Sequence, residues 1–501
     1  MKINSLLIAN RGEIAIRIIQ TAKLMGIETW VIKTSKEPNA LYLSAADHVI
    51  DFSDHSEDIP EFLDIDKIIR VVKEHKISAI HPGYGFLAES PVFAQRCEKE
   101  KIIFIGPSSE AILKMGNKTI AKQLARKHKI PLIVGSLGDV KDAEEAKVIA
   151  RKIGYPVILK AASGGGGRGM RIVENEKELE KMFKMASSEA AKAFNDPSVF
   201  VEKYIRNPRH IEFQVFGDKK GNIIHLGERE CSVQRKHQKL IEESPSAALD
   251  SALREKMGKA AINIAKSVKY YSAGTVEFLL DSDNKFYFME MNTRIQVEHP
   301  VTEMVTGLDL IELQIRVAQD ETLPLKQKDV QFNGWAIEFR INAEDVQAGF
   351  SPSLGIITKM SFPKSKNIRI DSGVQEGAII TPYFDSMIAK LIIHGETREK
   401  AIQYSVQALK KLWIKGLKTT IPFCNAVLNN SNFKKGIYDT SFLQEEMKIH
   451  YFQDKDAEML AAFFATYDFA RSLKEEECKT LDFEKGKNIN PWILNKRMKS
   501  L

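Results

Sequence analysis

The sequence predicts an α/β protein that begins with a Rossmann-like domain, and three observations lead to this fold class. Apolar strands alternate with amphipathic helices over the first 86 residues, a glycine-rich hairpin is predicted near residue 165, and polar and apolar residues alternate over residues 290–298. With 501 residues, 44% of them hydrophobic, the chain has enough core-forming side chains for roughly two to four domains.

The Rossmann-like prediction rests on a strand–helix–strand repeat at the N-terminus. Residues 3–9 predict a buried strand, residues 14–22 a helix with one apolar stripe, and residues 26–32 the next strand. Such a unit makes a parallel sheet. The repeat continues with a helix over residues 67–75 and a strand over residues 77–80. The dinucleotide fingerprint GxGxxG does not occur here, so we do not predict NAD binding.

Tyr84 and Glu89 follow the last of these strands, within a Gly-Pro-rich loop. Ligands of α/β sheets bind beyond the carboxyl ends of the strands. The two side chains are therefore candidates for a binding site, although an ordinary loop explains the composition equally well.

Composition and charge narrow the function classes. Lys and Arg number 73 and Asp and Glu 66, a net charge of +7. This surplus suits anionic small molecules or an acidic partner, whereas no basic run with interleaved aromatic residues indicates nucleic acid. The four cysteines lie far apart, which favours a reducing compartment over disulfides or zinc. Since we find neither a signal peptide nor an apolar run of 18 residues, we expect a cytoplasmic protein that does not span a membrane.

Lys118 begins a strongly helical segment that reaches Lys129. A cation near a helix N-terminus opposes the helix dipole. This position suggests that Lys118 binds an anion; a solvated lysine is the alternative.

The glycine-rich segment between Lys160 and Met170 predicts a hairpin with a mobile tip. Glycine lets backbone N–H groups approach phosphate oxygens and form an anion-binding nest. Lys160 precedes the glycines on the strand, unlike the lysine of a Walker A loop. A flexible hairpin needs no ligand, but Lys160 favours phosphate, and we expect the hairpin to act as a lid over the nucleotide.

Charged residues also occur inside predicted strands further along the chain. The run over residues 228–239 is dense in charge and typical of a solvated face. Glu277, by contrast, is a lone carboxylate in an apolar strand over residues 274–280. Because an unpaired buried carboxylate is costly, we expect Glu277 to pair with the strand that carries Glu290 and to share a metal ion with it.

The stretch over residues 286–303 is the most informative. If it is extended, five polar side chains lie on one side of it: Glu290, Asn292, Arg294, Gln296 and Glu298. Carboxylate and amide oxygens suit Mg²⁺, and an arginine fork matches a carboxylate or phosphate. The stretch therefore predicts the floor of a phosphate-and-metal site, with a solvated strand face as the alternative.

Several strings in the sequence resemble biotin carboxylase, a family of ATP-grasp enzymes. They are LIANRGEIA at residues 7–15, HPGYGFLAE at 81–89, residues 160–170, ECSVQR with HQK at 230–239, residues 290–303, RINAE at 340–344 and DSMIAK at 385–390. The resemblance covers roughly residues 1–446. It implies four segments: a Rossmann-like N-terminal domain (1–113), an ATP-grasp domain (114–330, with a lid at about 131–204), an α+β C-terminal biotin carboxylase domain (331–446) and a tail (447–501).

The resemblance also implies a reaction: ATP activates bicarbonate as carboxyphosphate, and the carboxyl group passes to biotin. It implies as ATP ligands Lys118, Lys160, Gly166, Gly167, His210, His237, Glu277 and Glu290, with Glu202, Lys203, Tyr204 and Ile205 around the adenine. Glu277, Glu290 and Asn292 would hold Mg²⁺ or Mn²⁺. Bicarbonate would be bound by Lys239, Arg294, Gln296, Val297 and Glu298. Among these Glu298 would be the base, while Tyr84 and Arg340 would bind biotin. Because Arg340 lies on a predicted strand well beyond the metal ligands, we expect it to approach from the biotin side alone, without touching phosphate.

The same resemblance implies partners. The family's biotin-accepting string does not occur in the sequence, so we expect biotin on a separate carrier protein, a separate carboxyltransferase subunit and a homodimer of this chain. Acetyl-CoA, for fatty acid synthesis, is the first expectation for the final acceptor, and pyruvate or propionyl-CoA the alternative.

Two other functions stay open at this point. Another ATP-grasp ligase would not be expected to carry Arg340 and the EHPVTE string at residues 298–303. A non-catalytic nucleotide-binding regulator would be expected to have lost some of the charged site residues, and Glu277, Glu290, Arg294 and Glu298 are all present.

Overall fold

The computed structural model describes residues 2–54, 60–136, 138–161, 170–194, 196–447 and 463–467. The chain divides into two compact units, Met1–Lys448 and Ile449–Leu501. The predicted glycine-rich tip, including Gly166 and Gly167, lies outside the described residues. In the second unit, residues 463–467 are helical.

The first sheet is Rossmann-like, as predicted. Its elements are β1 (Ser5–Ile8), α1 (Gly12–Leu24), β2 (Glu28–Lys33), α2 (Leu41–Ala45), β3 (His48–Asp51), α3 (Ile65–Glu74), β4 (Ala79–His81), α4 (Pro91–Lys99) and β5 (Ile103–Phe104). All strand pairs are parallel, in the order β3-β2-β1-β4-β5. Since β1 and β4 lie side by side at the centre, their carboxyl ends bring Glu13, in the first turn of α1, next to Tyr84 in the loop after β4.

The middle of the chain begins with two helices, which are followed by a small antiparallel sheet and two further helices. The elements are α5 (Ser109–Gly116), α6 (Lys118–Lys127), α7 (Ala143–Ile153), β6 (Val157–Ala161), β7 (Met170–Val173), α8 (Glu176–Phe194) and β8 (Val199–Lys203). Asn117 caps α6 by accepting from the Ile120 amide, so Lys118 is the first helical residue. Strands β6 and β7 form the predicted hairpin, with Lys160 opposite Met170.

A large antiparallel sheet carries most of the remaining chain. Its first part consists of β9 (Arg209–Gly217), β10 (Ile223–Arg235), β11 (Gln238–Ser244), α9 (Ser251–Ser267), β12 (Ser272–Leu280), β13 (Phe286–Asn292), α10 (His299–Thr306) and α11 (Leu310–Ala318). The second part consists of β14 (Trp335–Asn342), β15 (Glu344–Asp345), β16 (Ser351–Pro352), β17 (Gly355–Ile356), β18 (Lys359–Ser361), β19 (Ile368–Ser372), β20 (Ile379–Ile380), β21 (Met387–Gly395), α12 (Arg398–Leu409), β22 (Trp413–Lys415), α13 (Ile421–Asn429), α14 (Ser431–Lys435) and α15 (Phe442–Glu446).

The order in this sheet is β13-β12-β9-β10-β11-β14-β21-β19. Strand β11 pairs with β14, so one sheet runs through the expected domain boundary at residue 330. An apolar cluster that includes Phe213, Ile264, Phe278 and Phe288 packs between one face of the sheet and α9. Several polar side chains of the candidate site project from strands of this same sheet, among them Lys239, Glu277 and Arg340.

Two further expectations concern cysteines and membranes. Cys97, Cys231 and Cys424 are buried free thiols, and Cys478 lies outside the described residues. Among the described helices, none has the length and apolar character needed to cross a membrane.

Candidate active site

The floor of the site is formed by two neighbouring strands. Glu277 on β12 lies directly opposite Glu290 on β13, as predicted from the sequence. Asn292 Nδ2 donates to Glu277 Oε1 over 2.8 Å, and His210 Nε2 lies 3.0 Å from Glu277 Oε2. The three oxygen-bearing side chains proposed for the metal thus come from one strand pair.

These residues suit a divalent cation. Burial raises the pKa of Glu290, and the charge of Glu277 raises it further. Glu277 itself is buried, yet Lys239 and then His210 hold its pKa below the usual range. A cation shared by the two carboxylates would relieve their repulsion, and Mg²⁺ prefers such oxygen ligands.

The extended conformation predicted over residues 290–298 is wrong beyond Asn292. Strand β13 ends there, residues 293–298 form a turn, and α10 begins at His299. Pro300 favours a helix start at this point, and the His299 amide donates to Gln296 O over 3.3 Å. Gln296 and Glu298 are nevertheless buried beside Glu277, because the turn brings them back towards the floor.

Lys239 on β11 joins the carboxylates of the site. Its Nζ lies 3.1 Å from Glu277 Oε1 and 2.6 Å from Glu298 Oε1, and it also pairs with Glu212. Although burial disfavours charge, these three carboxylates raise the pKa of Lys239 well above its usual range. Glu298 is likewise buried, but Lys239 and then Arg340 lower its pKa well below the usual range. Both groups are therefore charged at neutral pH.

The charged run over residues 228–239 is not a solvated face, and that interpretation is wrong for most of it. Strands β9 and β11 flank β10, so Glu228, Arg229 and Glu230 are buried. Arg229 Nη2 donates to Gln296 Oε1 over 2.6 Å, and its Nε donates to Glu212. The run thus supplies the partners that orient site residues.

Three lysines and Glu202 lie on the side of the site predicted for ATP. Lys160 Nζ lies 2.7 Å from Glu202 Oε2, and Lys122 pairs with the other carboxylate oxygen. Glu202 is buried, but Lys160 and then Lys122 lower its pKa to about 2. Burial lowers the pKa of Lys118, against the raising effect of Glu290. A phosphate bound on this side of the site would lie near three lysines.

The remaining residues predicted for ATP lie directly after Glu202 or in the turn between β10 and β11. Lys203 Nζ donates to the carbonyls of Gly154 and Tyr155, and the Tyr204 amide donates to Pro156 O. Ile205 follows directly and is half-buried. His237 stands in the turn between β10 and β11 with a φ of 66°, exposed to solvent.

The side predicted for biotin is built by the C-terminal strands and the first domain. Arg340 Nη2 donates to Glu298 Oε2 over 2.9 Å, and its Nε donates to Glu242 Oε1 over 2.6 Å. Tyr84 Oη donates to Glu13 Oε1. Arg294 Nε donates to Glu89 Oε2 over 3.0 Å, which ties the first domain to the turn after β13.

Three family models match the chain in sequence. They are "Biotin carboxylase, N-terminal domain" at residues 2–112, "Carbamoyl-phosphate synthase L chain, ATP binding domain" at residues 117–326 and "Biotin carboxylase C-terminal domain" at residues 338–445. The chain belongs to the biotin carboxylase family. The fold class and the resemblance predicted from the sequence are thereby confirmed, and the chain is an ATP-dependent ligase of this family.

Relatives in the biotin carboxylase family carry several names. Biotin carboxylase 1 of Bacillus subtilis (strain 168) is 50% identical over 443 residues, which cover 88% of this chain and 98% of the relative. The biotin carboxylase subunit of pyruvate carboxylase, known as a crystal structure, is 47% identical with a TM-score of 0.78 and covers 90% of this chain and 99% of its own.

Two other solved structures have higher TM-scores to this chain. Biotin carboxylase from Campylobacter jejuni, in a complex with β-γ-ATP, has a TM-score of 0.86 and 49% identity and covers 89% of this chain and 99% of its own. The biotin carboxylase domain dimer of Hydrogenobacter thermophilus 2-oxoglutarate carboxylase, with MgADP and bicarbonate, has a TM-score of 0.86 and 46% identity. The match covers 90% of this chain and 99% of the solved chain.

Sequence reasoning missed several charged residues of this biotin carboxylase site. They are Glu13, Lys122, Glu212, Arg229, Glu242 and Lys390, all of which contact a predicted site residue. A charged residue inside a strongly apolar strand was the available signal, as with Glu212 in β9. The partners of such a residue could not be named before the strand order was known.

Proposed function

We propose that this chain carboxylates biotin on a separate carrier protein, using ATP and bicarbonate by way of carboxyphosphate. The observation that carries the proposal is the position of the Glu298 carboxylate between two cations. Lys239, on one side, also contacts Glu277 of the proposed metal floor, while Arg340, on the other, stands on β14 of the C-terminal part. A base in this position can serve a reaction between a phosphate site and a biotin site.

The nucleotide would occupy the cationic side of the site. We propose that Lys118, Lys160, His210, His237 and the backbone of Gly166 and Gly167 bind its phosphates, and that residues 202–205 bind the adenine. Phosphoryl transfer depends mainly on alignment and on neutralised charge, which these groups would supply. The proposed segments remain residues 1–113, 114–330 with a lid at about 131–204, 331–446 and 447–501.

Glu277, Glu290 and Asn292 would hold Mg²⁺ or Mn²⁺ in this proposal. The bound ion would neutralise phosphate charge as the terminal phosphoryl group leaves ADP. The chain's own contribution is the pair of opposed carboxylates on β12 and β13, which fixes where that charge is placed.

Bicarbonate would be bound by Lys239, Arg294, Gln296 and the backbone of Val297. Glu298 would accept its proton, so that an oxygen of the resulting dianion can attack the γ-phosphorus. With Lys239 and Arg340 both bound to it, Glu298 is a weak base. When Lys239 turns to the bound bicarbonate, Glu298 loses one cation and becomes a stronger base, which links deprotonation to substrate binding.

Biotin would enter beside Tyr84 and Arg340. The Arg340 guanidinium would stabilise the negative charge that develops on the ureido oxygen as the ureido nitrogen loses its proton. This nitrogen would then form a bond to the carboxyl carbon of carboxyphosphate, whose C–O bond breaks with phosphate as the leaving group and acceptor of the proton. ATP, a divalent metal and carrier-bound biotin are thus the cofactors and substrates of the proposed reaction.

The wider assembly is also part of the proposal. We propose a homodimer that works with a biotin carboxyl carrier protein and a carboxyltransferase subunit in the cytoplasm. A relative that is 50% identical over 98% of its own length is named Biotin carboxylase 1, which supports biotin carboxylation by this chain. We propose acetyl-CoA, for fatty acid synthesis, as the first candidate for the final acceptor. Pyruvate is the second candidate because the biotin carboxylase subunit of pyruvate carboxylase is 47% identical.

The test is ATP cleavage by the purified chain with and without bicarbonate and free biotin. We expect ADP release that requires bicarbonate and increases with biotin. ADP release that is indifferent to both would refute the proposal. Light scattering at micromolar concentration tests the dimer, and capture of the biotinylated carrier followed by assays with acetyl-CoA and pyruvate tests the acceptor.

A further inference from the structure

Lys390 is a fully buried lysine that the proposed reaction leaves without a role. It stands on β21 within the DSMIAK string, directly opposite Arg340 on β14. Its Nζ donates to the carbonyl of Val297 over 2.9 Å and lies 3.1 Å from Glu13 Oε2. A buried ammonium that donates a hydrogen bond to a backbone carbonyl fixes the position of that carbonyl, because such a bond is charge-assisted and shielded from water.

We infer that Lys390 is a positioning residue that fixes the peptide between Val297 and Glu298 and thereby places the Glu298 carboxylate. The inference rests on the proposed role of Glu298 as the base. The carbonyl that Lys390 holds belongs to the same peptide group as the Glu298 amide, so a shift of this carbonyl turns the Glu298 side chain away from Lys239 and Arg340.

The preceding carbonyl of the same turn is held as well. His299 Nδ1 lies 2.7 Å from Gln296 O, and the His299 amide donates to the same oxygen over 3.3 Å. Burial, followed by the charge of Lys390, lowers the pKa of His299 well below its usual range, so its ring is neutral. Successive carbonyls at 296 and 297 therefore have separate buried donors, which indicates that the turn is fixed for placement of its side chains.

Lys390 also joins the turn to the first domain. Glu13, its ion-pair partner, accepts a hydrogen bond from Tyr84 Oη. Asp371 lies farther away, at 3.7 Å, and is paired with Arg369 over 2.8 Å. Buried Glu338 also interacts with Lys390, but burial raises the pKa of Glu338 well above its usual range, so this carboxyl is uncharged with or without Lys390. If Lys390 is removed, Glu13 is thus the carboxylate that loses its ion-pair partner, and the test is designed around it.

The test compares Glu13→Gln/Lys390→Met with Glu13→Gln alone, so that no uncompensated Glu13 carboxylate is created. We expect kcat for bicarbonate-dependent ATP cleavage to fall about 10- to 100-fold between these two proteins, since a misplacement near 1 Å has such effects. KM for ATP should stay within about twofold, because Lys390 touches none of the residues proposed for ATP. Should the double variant fail to fold, Glu13→Gln/Lys390→Gln gives the same comparison with a polar side chain.

A double-mutant cycle separates positioning from a general loss of structure. The comparison of Glu13→Gln/Lys390→Met with Glu13→Gln is repeated in proteins that also carry Glu298→Gln. If Lys390 acts through Glu298, its replacement should then cost less than about twofold in kcat. A loss that persists undiminished in the Glu298→Gln background overturns the inference, as does an unchanged kcat in the first comparison. Failure of the proposed function itself would look different, because the unsubstituted chain would release ADP without bicarbonate.

Discussion

Arg340 Nη2 donates to Glu298 Oε2 over 2.9 Å, so the proposed biotin-side cation contacts the proposed base directly. The sequence suggested that Arg340 approaches from the biotin side alone, since it stands on a strand well beyond the metal ligands. The strand order explains the contact: β14 lies next to β11 and carries Arg340 to the far side of the same carboxylate that Lys239 holds.

We therefore predict that Arg340→Ala weakens both steps, but unequally. Bicarbonate-dependent ATP cleavage should fall about tenfold because Glu298 loses a cation that orients it. Carboxybiotin should fall further, so the ratio of ADP to carboxybiotin rises. The measurement is both products in one assay, with Arg316→Ala, on the exposed side of α11, as the control. ATP cleavage at the unsubstituted rate would contradict a role for the Glu298 contact.

Glu298→Gln removes the proposed base and keeps its shape. Turnover should fall by roughly 10²–10⁴-fold, the usual effect of losing a general base. Affinity for an ATP analogue, measured by calorimetry, should change less than about threefold because Glu298 does not belong to the proposed phosphate ligands. Glu312→Gln on α11 is the matched control, and equal losses of turnover and nucleotide affinity would argue against a base.

The metal proposal predicts that Glu290→Gln weakens divalent-cation binding by about tenfold or more. One of two opposed carboxylates is then neutral, and the remaining charge attracts the ion less strongly. Mn²⁺ binding in the presence of ADP, followed by electron paramagnetic resonance, measures this without turnover. Glu255→Gln on the exposed side of α9 serves as the control. Unchanged Mn²⁺ affinity would place the metal elsewhere.

His81, at the end of β4, should make the protein sensitive to acid. Burial lowers its pKa to about 3 from 6.5, and its Nδ1 accepts from the Gly83 amide over 3.0 Å. Between these two pH values the unfolded chain binds a proton that the folded chain does not. The free energy of unfolding should therefore fall as the pH is lowered below 6.5, by up to about 1.4 kcal/mol per pH unit.

Urea unfolding at several pH values between about 5 and 7 measures this slope. His81→Asn, whose side-chain oxygen can still accept from Gly83, should reduce it, whereas His128→Asn at an exposed position should not. Equal slopes for His81→Asn and the unsubstituted protein would show that other groups dominate.

Local patterns and the family resemblance were enough for the fold class and for part of the site. The strand–helix repeat predicted the parallel sheet, and Glu277, a lone carboxylate in an apolar strand, predicted the pairing of its strand with the strand of Glu290. The resemblance named Lys239, Arg294 and Glu298 from their motifs. In these cases the relevant information lies within a few neighbouring residues.

The buried charges around the site could not be predicted in the same way. Arg229 is accommodated by partners on β9, β12, α10 and the turn after β13, which only the folded sheet brings together. The turn at residues 293–298 was missed because alternating polarity resembles a strand whether or not the chain curls back. Lys390 gave no signal beyond its place in a motif, since one of its partners is a backbone carbonyl and the other, Glu13, is distant in sequence.

The eight-stranded sheet limits how this enzyme can be divided. Strand β11 carries Lys239 and is bonded along residues 241–244 to β14, which carries Arg340. A chain cut at residue 330 would leave the inner edge of β11 with unpaired backbone groups, the kind of edge that recruits other strands and aggregates. The part proposed to bind ATP and the part proposed to bind biotin therefore share one sheet, and we expect an exchange between carboxylases to preserve folding only if β11 and β14 are exchanged together.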